Sequence, residues 1–154
     1  MGLLSAITSL FSKPRGFEPD FPIIPLYATE DEARELLRQF STVTEEDPES
    51  DRTIAQKLLV AETEVTRIAV GIWNGRVRFT NYLTGRFNQT DEMKGRKLGW
   101  FVDYYGGRAE FDSPNDTGHM IFWRNPVKKI VIVFGLLMGP VRIIDKDPAH
   151  WPDA

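Results

Sequence analysis

Residues 63–79 have the sequence TEVTRIAVGIWNGRVRF, and whether they form a helix or a hairpin determines how many strands the chain contains. The apolar spacing from Ile54 to Ile72 alternates between four and three residues, which permits a long helix ending at Asn74-Gly75. Against a helix, β-branched residues crowd this stretch, and Asn-Gly is the preferred two-residue turn of a β-hairpin. We therefore predict a hairpin.

Pairing across this turn matches apolar side chains with one another, Ile72 with Val77 and Val70 with Phe79. These four side chains would lie on one face of the hairpin, because side chains alternate between faces along a strand. Arg76 and Arg78 would then lie on the other face. The pattern predicts one buried and one basic surface for this hairpin.

The C-terminal third has short apolar runs separated by turn residues such as DSPNDTG, RNP and GLLMGP. These runs predict strands at 108–111, 119–123, 127–134 and 141–144. Connections this short suit antiparallel neighbours, because parallel strands need crossovers of a dozen residues or more. The run KKIVIVFG is apolar on both alternating faces, which is typical of a central strand.

The N-terminal half is predicted to be mainly helical. Residues 1–12 have the apolar spacing of a short amphipathic helix, and the proline-rich residues 13–28 are expected to form an ordered, extended arm. Thr29 followed by Glu32 is a capping box, which predicts a helix over 30–41.

Two more helices are predicted farther along the chain. Ser50 or Asp51 is a candidate cap for one that contains Leu58 and Leu59. Another starts near Thr90 and ends before two consecutive glycines. Lys97 lies on the same broad helix face as the apolar side chains of this segment, which are Met93, Leu98, Phe101, Val102 and Tyr105.

These elements predict an α+β fold, with N-terminal helices packed on a mainly antiparallel sheet in a single domain spanning 1–154, whose core is 29–154. The 154 residues include no cysteine, which excludes disulfides, thiolate nucleophiles and cysteine-ligated metals. No apolar run is long enough to span a bilayer, and the N-terminus lacks the features of a secretory signal. We therefore expect a cytoplasmic protein without a cofactor.

Charge is unevenly distributed along the chain. Residues 1–66 carry 6 basic and 13 acidic side chains, whereas residues 67–154 carry 13 basic and 9 acidic ones. The basic half also contains tryptophans, and arginine beside aromatic residues is typical of interfaces. The predicted binding residues are Trp73, Arg76, Arg78, Arg96, Lys97 and Trp100.

Catalytic motifs are sparse. His119 follows a loop that contains Asp112 and Asp116, so these three residues are the candidates if the chain is a hydrolase. No G-x-S-x-G motif accompanies them. The tail DKDPAHW places Asp145, Asp147 and His150 close together, but packing of the tail on the sheet explains these residues better than a metal site does, and no metal site is predicted.

These observations favour a small non-catalytic binding protein that recognises a protein partner, as an inhibitor, an immunity-type neutraliser or an assembly factor. Binding of nucleic acid or another polyanion by the same arginine-rich region is an alternative. The sequence pI of about 5.4 argues against that alternative, because nucleic-acid modules commonly carry a basic excess. A hydrolase is the third hypothesis, and the sequence leaves the oligomeric state open.

Overall fold

A computed structural model of the chain describes residues 19–84, 91–135 and 139–152. These residues contain two α-helices, α1 (Glu30–Arg38) and α2 (Asp91–Tyr104), and one sheet. The eight strands of the sheet are β1 (Val43–Glu46), β2 (Lys57–Glu62), β3 (Thr66–Trp73), β4 (Arg76–Thr84), β5 (Asn115–Asp116), β6 (Met120–Asn125), β7 (Ile130–Gly135) and β8 (Val141–Asp145). The predicted helix over 1–12 lies outside the described residues.

The sheet is antiparallel throughout, with the strand order β1-β2-β3-β4-β8-β7-β6-β5. This confirms the predicted α+β class and antiparallel sheet. Three of the four predicted C-terminal strands correspond to β6, β7 and β8. The strand predicted at 108–111 is wrong, because Arg108–Glu110 is a 3-10 turn. Gly106 and Gly107 both have positive φ there and turn the chain before it can extend.

The predicted hairpin is confirmed, with β3 and β4 joined at Asn74-Gly75. Both turn residues have positive φ, 48° and 75°, as a type I′ turn requires. Ile72 pairs with Val77 as predicted. The second predicted pair is wrong, because Phe79 lies opposite Gly71 and the register shifts between Gly71 and Ile72.

Helix α1 begins at its predicted cap. The Thr29 side chain accepts a hydrogen bond from the backbone N of Glu32 at 3.2 Å, and Ala33 and Leu37 are fully buried against the sheet. The helix ends at Arg38, three residues before the predicted end at 41. Phe40 still packs against the core, so the apolar spacing continues past the helical backbone.

The helix predicted to begin at Ser50 or Asp51 is wrong. Glu49–Asp51 is a 3-10 turn, and the following residues form β2 between β1 and β3. Leu59 and Ala61 are buried at the alternating spacing of a strand. The structure therefore confirms the N-terminal helices only in part, because pairing with β1 and β3 overrides a local helical pattern.

The two faces of the sheet are covered differently. Helices α1 and α2 and the chain around Phe21 and Ile24 pack on one face, where the main core lies. The backbone N of Ile24 donates to the buried Tyr82 hydroxyl at 2.9 Å, which fixes this proline-rich segment to the sheet. Among the described residues, no helix is long and apolar enough to cross a membrane.

Candidate functional site

The bulge in the β3–β4 hairpin changes the direction of Arg78. Gly71 pairs with Phe79 and Ile72 pairs with Val77, so Arg78 is an extra residue of β4 between two paired ones. Such a bulge breaks the alternation of side chains and turns one of them toward a new neighbour. Arg78 consequently lies beside Trp151 of the C-terminal tail.

The guanidinium group of Arg78 lies near two indole rings. Its Cζ is 5.7 Å from the ring centroid of Trp73 and 5.4 Å from that of Trp151, which are cation–π distances. The Nε and Nη1 atoms of Arg78 are buried and donate no hydrogen bond to the described residues, and the same holds for the indole nitrogens of Trp73 and Trp151. Buried donors without acceptors are costly and rare in proteins, so this group of donors requires an explanation.

Asp145, at the end of β8, is a negative charge that acts on Arg78. This carboxylate is 4% exposed and accepts hydrogen bonds from His150 Nδ1 at 2.5 Å and from the backbone N of Asp147 at 2.8 Å. Burial lowers the pKa of Arg78, and the charge of Asp145 partly opposes that effect. Asp145 thus compensates the charge of Arg78 without bonding its free donors.

Tyr27 completes the cluster on the solvent side. Tyr27 is 40% exposed, and its ring stacks on His150 at a centroid distance of 4.4 Å, with the Arg76 guanidinium 4.8 Å from the tyrosine ring centroid. The backbone of Tyr27 has φ of 67°, a strained conformation for a bulky residue. A hydrogen bond of 2.7 Å from its N to the Val77 carbonyl holds this conformation.

We call this group the Arg78 cluster. It comprises Tyr27, Trp73, Arg76, Arg78, Asp145, His150 and Trp151. Three of the predicted binding residues are members. The other four members were not predicted as binding residues, because they come from the arm and the tail and meet the hairpin only in the fold. In the sequence, the close spacing of Asp145 and His150 singles out the tail. It does not show that the tail packs against the β3–β4 hairpin.

The other three predicted binding residues lie on α2. Arg96 forms an ion pair with Glu92, and Trp100 stacks on Tyr104 at 5.0 Å. Lys97 is only 1% exposed, and its Nζ donates to the Thr84 carbonyl at 3.4 Å. Lys97 therefore offers no charge at the surface, as its helical spacing with the apolar side chains of α2 already indicated.

The hydrolase candidates lie in and beside the β5–β6 hairpin. His119, Asp112 and Asp116 are all exposed. Asp116 accepts a hydrogen bond from the backbone N of Gly118 at 2.8 Å, within its own turn. In the part of the chain that the structure describes, neither aspartate forms a hydrogen bond or ion pair with His119, so the arrangement lacks an oriented catalytic base.

Comparison with known proteins gives no match. No protein-family model, no curated protein and no solved structure is significantly similar to this chain.

Proposed function

We propose that this chain is a small, non-catalytic, cytoplasmic binding protein that recognises a protein partner through the Arg78 cluster, as an inhibitor, immunity-type neutraliser or assembly factor would. The observation that supports this most directly is the set of donors without acceptors on Arg78, Trp73 and Trp151. Because these donor atoms are shielded from solvent in the isolated chain, a carboxylate or carbonyl group of a partner would supply the missing acceptors by displacing the ring of Trp73 or Trp151 from the guanidinium. The Arg78 guanidinium is planar and can bind a carboxylate through two parallel hydrogen bonds.

The residue types of the cluster also favour a protein partner. Tryptophan, tyrosine and arginine dominate the energetic centres of protein interfaces, because they combine large apolar area with directed hydrogen bonds. Tyr27 lies at the surface in a strained backbone conformation, and such strain is concentrated at functional positions.

Ion pairs within the chain argue against the polyanion alternative. Arg67 is paired with Glu46 and Glu62, and Arg142 with Asp51. Paired arginines attract phosphates weakly, because their charge is already compensated. Within the described residues, these ion pairs therefore reduce the unpaired positive charge that a polyanion could bind.

Substitution of Arg78 tests this proposal. We expect Arg78→Ala to weaken partner binding by about 2 kcal/mol, roughly thirtyfold in Kd, as is typical of a residue at the energetic centre of an interface. Arg78→Lys should weaken partner binding nearly as much, because lysine keeps the positive charge but lacks the planar guanidinium group. The partner would be captured from the source cell by a photo-crosslinker placed at Tyr27 and identified by mass spectrometry, and its affinity measured by calorimetry.

Tyr104→Ala/Arg108→Ala is the matched control, since it removes one exposed aromatic and one exposed cation outside the cluster. We expect this control to crosslink like the wild type. Equal crosslinking by the wild type, Arg78→Ala and the control would contradict the proposal. Salt-sensitive retention of the wild type on heparin, lost in Arg78→Ala, would instead support the polyanion alternative.

A further inference from the structure

A second surface lies on the sheet face opposite the main core. Ala55, Phe79 and Ile144 form a small buried cluster there, beneath the segment that follows β1. Among the described residues, this segment covers only the middle of the face. Phe122 and Val133 lie beside it and remain half-buried, although a strand residue facing a covered layer would be buried completely. We call this surface the open face.

The open face forms a groove along β6, β7 and β8. Two adjoining cavities, of about 470 and 610 Å³, share Phe122, Val133 and Arg142 in their walls. Lys129 and Gly135 line opposite ends of the groove, and the six residue steps between them span about 20 Å along β7. An α-helix of about 13 residues has the same length.

The charges along the groove are arranged unevenly. Arg142 lies in the middle and donates to Asp51 at 2.7 and 3.0 Å and to Asn81 at 2.7 Å, so its donors are occupied. Exposed cations lie near the β6–β7 turn and the end of β8: Lys129, which pairs with Asp147, and three more, Arg124, Lys128 and Lys146. None of these three forms an ion pair within the described residues.

The basic end also exposes apolar surface. Val127, at the tip of the β6–β7 turn between Pro126 and Lys128, is 70% exposed. Asp112 is the acidic side chain that lines this end of the groove. An apolar floor that leads to three cations and an exposed valine complements a ligand that is apolar along one side and acidic at one end.

We propose that the open face binds an acidic amphipathic helix of a partner protein. The apolar side of the helix covers Phe122, Val131 and Val133, and its carboxylates lie against Arg124, Lys128 and Lys146. A helix is the appropriate element because the surface is a sheet face, and a single layer of helix buries it. This surface is separate from the Arg78 cluster, so either site could exist without the other.

A peptide selection tests the proposal. The full chain is immobilised and presented with displayed peptides of 13 residues that keep an amphipathic apolar pattern and carry Glu or Lys at random elsewhere. We expect enrichment of peptides in which Glu exceeds Lys, concentrated toward one end of the peptide. Their affinity, measured by fluorescence anisotropy, should fall at least tenfold for Arg124→Glu/Lys146→Glu and decrease with rising salt.

Arg38→Glu/Arg96→Glu is the matched control, because it reverses two exposed cations on α1 and α2 and makes the same change in net charge. We expect it to bind the selected peptides like the wild type. Equal loss in both variants would show a general charge effect and overturn the proposal. Arg78→Ala should leave peptide binding unchanged, which separates this site from the Arg78 cluster.

A selection that enriches no peptide also overturns the proposal. Sedimentation equilibrium of the wild type and of Arg124→Glu/Lys146→Glu then shows whether a second copy of the chain occupies the groove. A wild-type dimer that the variant abolishes would identify the open face as a homodimer interface instead.

Discussion

Replacing Lys97 by methionine is expected to increase the free energy of unfolding at neutral pH by on the order of a few kcal/mol. The lysine side chain is 1% exposed within α2, and burial, reinforced by the charge of Lys94, lowers its pKa to about 7. Methionine has a similar length and needs no solvation. The bond to the Thr84 carbonyl is lost in the variant, which offsets part of the gain.

The pH dependence of the free energy of unfolding shows whether the buried charge of Lys97 causes this difference in stability. In the unfolded chain lysine titrates near 10.4, so between about pH 7 and 10 the unfolded state holds a proton that the folded state has released. The free energy of unfolding of the wild type should therefore rise with pH across this window, by up to about 1.4 kcal/mol per unit. Below about pH 7 both states are protonated, and this contribution becomes constant.

Urea unfolding of both proteins at pH 6, 7.5 and 9 measures the difference. The advantage of Lys97→Met should be largest at pH 6 and shrink as the pH rises, because the wild type gains stability over the same interval. Lys128→Met, at an exposed position in the β6–β7 turn, is the control and should change stability far less. If the free energy of unfolding of the wild type and of Lys97→Met changed with pH in parallel, the burial of a charged Lys97 would not destabilise the protein, which would contradict this prediction.

The elements that could be predicted from the sequence are those determined by neighbours in the chain. The Asn74-Gly75 turn requires positive φ at two successive residues, and few sequences other than Asn-Gly accept this. The cap of α1 depends on Thr29 and Glu32, three residues apart. Interactions this short in range leave a signal in the sequence.

The β2 strand could not be predicted because its conformation depends on distant residues. Its apolar residues also fit a helix, and the decision lies with its partners, β1 and β3. The acidic sequence of β1 has no alternating apolar pattern, and Arg67 of β3 pairs with Glu46 and so compensates part of its charge in the sheet. The periodicity of the sequence does not show that the fold will bring a basic residue of β3 next to the acidic strand β1.

Only the part of the Arg78 cluster that depends on neighbours in the sequence could be predicted. Trp73, Arg76 and Arg78 lie on one hairpin, so their proximity follows from a local turn. Tyr27 and Trp151 approach them from opposite ends of the chain, which only the tertiary fold determines. The bulge that turns Arg78 toward Trp151 adds a single residue to one strand, and strict alternation of side chains does not indicate it.

Gly71→Ala is expected to destabilise the protein by about 3 kcal/mol, which is the upper part of the usual range for overpacking a core. The Phe79 ring lies directly over Gly71, and a Cβ atom there would be 2.1 Å from Phe79 Cε2. Phe79 is fully buried against Ala55 and Ile144, with the Arg142 guanidinium 4.5 Å from its ring centroid. The ring therefore has little room to move, and the bulge itself must shift.

A double-mutant cycle with Phe79→Ala separates this contact from other effects of the substitution. Phe79→Ala alone should be strongly destabilising because it leaves a cavity, but adding Gly71→Ala to it should cost little, since the ring is absent. Urea unfolding of the four proteins gives the coupling energy, and equal costs of Gly71→Ala in both backgrounds would contradict the proposed clash. Because the bulge at Gly71 also directs Arg78 toward Trp151, Gly71→Ala should weaken partner capture under conditions where the variant remains folded.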